Sequence, residues 1–176
     1  MILGWRVHQT LPIDFLLGAG LVLLLFSGLH DFAVRTVPNW VSLLLFAVGA
    51  ALRLIEGGGH SLAIGLAIAF AVLLLTFVFW RLGWMGGGDV KLLTAAAIFV
   101  SPMMVPFLIS GTAIAGGILS MIYLAGGALV KRPHGARPMG FVRRAIRCEQ
   151  WRLSRRGPLP YAAAIAAGGW IATLHA

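Results

Sequence analysis

Residues 90–130 read "VKLLTAAAIFVSPMMVPFLISGTAIAGGILSMIYLAGGALV", 41 consecutive residues carrying one charge, Lys91, near their start. As one unbroken helix this stretch would measure about 60 Å, at a rise of 1.5 Å per residue. The hydrocarbon layer of a bilayer is only about 30 Å thick and is crossed by about 20 apolar residues. The stretch is therefore expected to cross twice, with the prolines of "SPMMVP", residues 101–106, supplying the turn. A short helix precedes that turn and a longer one follows it.

The rest of the chain has the same character. Of its 176 residues 60% are hydrophobic and 11% charged, against about 25% charged in an ordinary soluble domain. Apolar runs fill residues 15–26, 41–52 and 62–80. The expected segments are 11–30, 38–55, 62–82, the two within 90–130, and 161–174. Pro38 suits a first helical turn, where its missing N–H is not needed, and "EGGGHS", residues 56–61, makes a short turn. The fold class is all-α: a polytopic membrane helix bundle of about six transmembrane helices, forming one domain over 1–176. Arg6 precedes the first apolar run as in a secretory leader, but no A-x-A-like cleavage site follows, so this run is expected to stay as a first span.

The formal charge is +9, and nine of the 14 Lys and Arg lie within residues 131–156. A basic loop over 131–160, set between two apolar stretches, marks the cytoplasmic side of a membrane and meets anionic lipid headgroups. No recognition fold accompanies it, so no nucleic acid is expected as a partner. With six spans, the loops after the first, third and fifth share one face. Arg35, Arg81 and Lys91 then join the basic loop inside, leaving only Arg6 and Arg53 outside. Within the loop, residues 141–156 read either as a short helix lying on the membrane surface or as an irregular basic segment.

Five acidic residues are present: Asp14, Asp31, Glu56, Asp89 and Glu149. Asp31 ends the first span, Asp89 begins the fourth, and both fall at the cytoplasmic face. Singly, Asp89 reads as a helix N-cap and Asp31 as a solvated group near Arg35. Together they suggest more, because ionisable groups at membrane depth usually face a protein interior or a wet cavity. Two neighbouring carboxyl groups share one proton. The ionised one then activates water and the protonated one supplies the proton a leaving amine needs. Glycines beside Asp89 leave room for an extended substrate backbone. Other chemistries find no support. The single cysteine, Cys148, allows neither an internal disulfide nor a C-x-x-C metal site. The glycines 86–88 lack the GK[ST] ending of a phosphate loop. No metal and no cofactor are expected.

"GGGDVKLL", residues 86–93, resembles the G-x-G-D-V-K-L pattern of the prepilin peptidases, intramembrane aspartyl proteases of the GxGD class. "DFAVRTVPNW", residues 31–40, is similar to their first aspartate motif, in which Pro-Asn follows the aspartate by seven residues. "LPYAAAIAAGG", residues 159–169, is similar to the Pro-Tyr start of the last helix in the short members serving Tad/Flp-type pili, with Ala162 where relatives often have glycine. The resemblance implies catalysis by Asp31 and Asp89. It also implies motif roles for Gly86 and Gly88, and structural support from Pro38, Asn39 and Lys91. The implied activity is removal of the leader from a prepilin or pseudopilin at the cytoplasmic face of a bacterial inner membrane, with membrane lipids as the other partner. Leaders in this family are basic, so the basic loop is not expected to attract them. The competing reading is a non-enzymatic membrane protein, a proton-relaying transporter or a pilus-assembly subunit, whose aspartates pass protons.

His30, beside Asp31, reads either as a group tuning its neighbour or as a helix-end residue among headgroups. Gly111, Gly116, Gly117, Gly126 and Gly127 are expected to permit close helix packing within the molecule.

Overall fold

A computed structural model describes residues 3–129, 140 and 159–175. Residues 131–139 and 141–158 of the basic loop, with its candidate surface helix and Cys148, lie outside the described residues. Within them the chain forms α1 (Leu3–Val34), α2 (Asn39–Arg81), α3 (Gly87–Phe99), a 3-10 turn (Pro102–Met104), α4 (Val105–Leu129) and α5 (Tyr161–Leu174). There is no strand among them.

α2 is two limbs. Gly57 (φ −148°, ψ 22°) and Gly58 (φ 62°, ψ −153°) leave helical geometry, and Gly58 adopts a left-handed φ open to glycine at no steric cost. A Cβ on Gly65 would lie 3.1 Å from Arg53 Cγ. Twelve residues of straight helix would separate those positions by about 18 Å, so the chain reverses at the glycines, where the turn was expected. Arg53, 3% exposed, meets Glu56 through Nη1–Oε2 at 2.9 Å and Nη2–Oε1 at 3.1 Å. This two-pronged pair holds a cation in the last turn of the first limb, where it opposes the negative end of the helix dipole.

Among the described residues three helices are long and apolar enough to cross a membrane: Pro12–Val34, Asn39–Arg81 and Pro102–Gly126. That is fewer than the six crossings expected, for physical reasons. The two limbs of α2 count as one helix, and α3 and α5, with 13 and 14 residues, reach only about 20 Å each. Large apolar side chains nevertheless face outward all round, with Phe15 75%, Leu43 69% and Met121 73% exposed. Such a surface suits lipid and not water. The chain is a membrane protein built as an all-helical bundle.

α3 packs chiefly on α2, and α5 lies between α4 and α1. The interior holds Leu24, Leu45, Leu52, Leu92, Phe99 and Ile165, all fully buried. Between them run alanines and glycines that let helix backbones approach. A Cβ on Gly111 would lie 3.1 Å from Gly168 Cα, so α4 and α5 cross there nearly backbone to backbone. Gly116 faces Tyr161, whereas Gly117 has nothing within 4 Å.

Another close backbone approach joins α2 to α3. A Cβ on Gly49 would fall 2.7 Å from both Cα and N of Phe99, backbone atoms that cannot swing aside. Gly49→Ala is expected to lower the Tm of the detergent-solubilised protein, overpacking of this kind costing about 1–3 kcal/mol. Gly117→Ala, on an open face, is expected not to lower it.

Candidate active site

The site forms where α1 ends and α3 begins. The last turn of α1 closes with the Arg35 N–H donating to the Asp31 carbonyl at 2.9 Å. Arg35 itself takes φ 61°, a left-handed conformation that strains a side-chain-bearing residue by roughly 1–3 kcal/mol. The chain then turns away, and His30 Nδ1 stands 2.8 Å from the Thr36 carbonyl oxygen. A carbonyl only accepts, so that ring nitrogen carries hydrogen; the histidine fastens the connection. Pro38, extended at φ −62° and ψ 133°, caps α2.

This exit path leaves Asp31 directed into the bundle, 5% exposed. A carboxylate withdrawn from water needs donors. One comes from α5: the backbone N–H of Ala162 donates to Asp31 Oδ2 at 3.1 Å. Ala162 is the second residue of α5, and amides at that position have no partner within their own helix. Residue 162 reaches Asp31 through its backbone, so an alanine serves this contact as well as a glycine.

Asp89 arrives from the other side. The second limb of α2 ends at Arg81, Gly83 turns at φ 75°, and α3 starts after Gly86 as its cap. Asp89 is the third residue of α3, where negative charge complements the helix dipole. Two glycines of the motif have a steric reason. A Cβ on Gly86 would lie 2.9 Å from Asp89 Oδ2, and one on Gly88 would lie 3.3 Å from Val37 Cβ. The first leaves room for the carboxylate; the second lets α3 abut the connection between α1 and α2.

Asp31, Asp89, Arg35, Gly86, Gly88 and Tyr161 line one cavity of about 760 Å³. The two carboxyl groups lie within electrostatic reach of each other, and the Tyr161 phenol lies within reach of Asp89. Lys91 Nζ donates to Asn39 Oδ1 at 3.0 Å, which ties the first residue of α2 to the fifth of α3. Asp31 and Asn39 thus share the cavity wall with residues 86–89, whereas Pro38 and Lys91 do not line it.

Two contacts have no signal in the sequence. Arg35 Nη2 donates to the Tyr123 hydroxyl, and its guanidinium carbon stands 5.3 Å from the Tyr123 ring centre. Nothing in the pattern pairs residues 88 positions apart. The Ala162 amide was likewise invisible as a donor, although the Pro-Tyr start of α5 located the helix end that carries it. Among the described residues no three His, Cys, Asp or Glu side chains gather as metal ligands would.

Two carboxyl groups lining one cavity are the kind of groups that acid–base chemistry on a water uses. Searches of curated proteins and of solved structures returned no match. The model of the type IV leader peptidase family matches residues 18–121, a span that includes both aspartates and ends before α5. With more than half of its length matched, and with both aspartates on one cavity, the chain belongs to the type IV leader peptidase family.

Proposed function

We propose that the protein is an intramembrane aspartic endopeptidase that removes the leader peptide from prepilin or pseudopilin precursors. The observation that carries this is the shared cavity of Asp31 and Asp89, reached from different helices. One carboxylate takes a proton from water, whose oxygen attacks the scissile carbonyl carbon. The other, protonated, donates a hydrogen bond to the carbonyl oxygen as it gains charge. The C–N bond then breaks, and a proton passes from the carboxyl pair to the departing amine. The glycines at 86–88 on the cavity wall admit an extended peptide backbone without side chains of their own in its way.

In the membrane α1, the two limbs of α2, α3, α4 and α5 each cross, giving six passages. The basic residues then set the face bearing both aspartates toward the cytoplasm of a bacterial inner membrane. The Pro-Tyr start of α5 favours the short branch associated with Tad/Flp pili.

Asp31→Asn and Asp89→Asn are each expected to lower prepilin processing by at least about 10²-fold, since the acid and base roles are complementary. Conversion of precursor to mature pilin on co-expression measures this, and processing retained by both variants rejects the peptidase in favour of a proton relay. A pair holding one proton also gives a bell-shaped pH profile for kcat/KM. At low pH both groups are protonated and the base is lost; at high pH both are ionised and the acid is lost.

Gly86→Ala is expected to displace the Asp89 carboxylate and to cut turnover at least about tenfold, because an ångström of misplacement is costly in a catalytic group. Its thermal unfolding should stay near that of the parent, Gly86 being exposed. Cysteines introduced at 58 and at 84, in a Cys148→Ser background, are expected to be labelled from opposite sides of the membrane. Labelling from the same side defeats the six-passage arrangement.

A further inference from the structure

A second hollow lies beside the catalytic cavity and shares Asn39 with it. It occupies about 440 Å³ between the two limbs of α2 and α3. One end is polar, with Lys91, Ser42 and Thr94 in its wall; the other is apolar, with Phe46, Leu73 and Ala95. From Asn39 to Phe46 the helix advances about 10 Å, so polarity falls off within two turns, running inward from the rim that carries the aspartates.

Ser42 makes this hollow more than a groove between helices. Its residue is 6% exposed, and its Oγ is buried with no hydrogen-bond partner. Leaving a buried hydroxyl unmade costs free energy that a well-packed site avoids. In the same wall, Lys91 uses one donor on Asn39, and an ammonium has three. Thr94 contributes no further proton, because its hydroxyl already donates to the Val90 carbonyl at 2.8 Å. The polar end thus offers a cation and a hydroxyl, both donors, and an acyl-sized apolar floor continues from them.

We propose that this hollow is a binding site for one anionic phospholipid. Its phosphate accepts hydrogen bonds from Lys91 Nζ and Ser42 Oγ, and the start of an acyl chain lies over Phe46 and Leu73. Charge complementarity selects this occupant over a basic leader segment, which Lys91 repels. Leu43, 69% exposed on the open side, leaves the hollow continuous with the lipid outside. The site stands apart from the peptidase reading, because its occupancy is measured without substrate.

The test is native mass spectrometry of the full-length protein released from nanodiscs containing equal phosphatidylglycerol and phosphatidylcholine. The parent is expected to retain one phosphatidylglycerol in preference to phosphatidylcholine. Lys91→Gln should lower that retention about tenfold, the charge-assisted bond being the stronger, and Ser42→Ala several-fold. Phe46→Trp, which fills the apolar end and leaves every charge in place, should abolish it. In lipid-free detergent Ser42→Ala should unfold at the parent's temperature or above, since it removes an unpartnered hydroxyl. Added phosphatidylglycerol should raise that temperature less than in the parent. Equal retention of the two lipids by the parent overturns the proposal. So does a preference that survives Phe46→Trp in a folded protein, for then the basic residues of 131–156 hold the lipid instead.

Discussion

A carboxylate buried in a lipid-embedded bundle has to be answered by donors, and the rest of the arrangement follows from how Asp31 is answered. It sits 5% exposed at the end of α1, and α5 brings it a free amide at 3.1 Å. The helix end supplies a donor that its own first turn leaves over. This contact joins the two ends of the described chain, α1 and α5, at the point where the cavity opens. It also fixes what residue 162 has to provide: an N–H, with a small side chain to fit a fully buried place.

The opposite wall depends on an absence of atoms. Gly86 and Gly88 allow the first turn of α3 to carry Asp89 against the connection from α1, and Lys91 reaches back to Asn39 across the seam. One glycine leaves room for the Asp89 carboxylate and the other for the side chain of Val37. The same device recurs in the core, where Gly49 accepts the Phe99 backbone and Gly111 meets Gly168. Helices in lipid gain little from burying apolar groups against each other, so close backbone contact carries the packing.

Much of this was legible in the sequence. Asp31 and Asp89 stand out because carboxylates are rare and costly in so apolar a chain. The prolines at 102 and 106 and the glycines at 57–59 mark turns by local chemistry alone, and both turns are present. The number of crossings was less legible. Length and hydropathy are clear for residues 12–34 and 102–126, whereas α3 and α5 fall below the length of a span. The pairing of Arg35 with Tyr123, and the unpartnered hydroxyl of Ser42, depend on how helices rotate about their axes. Periodicity is weak evidence for that where nearly every residue is apolar.

Arg35 keeps a left-handed backbone that glycine would occupy at ease. Its guanidinium in return meets the hydroxyl and ring of Tyr123 on α4. Glycine at 35 would relax the backbone and cut the side-chain tie that spans from the foot of one helix to another.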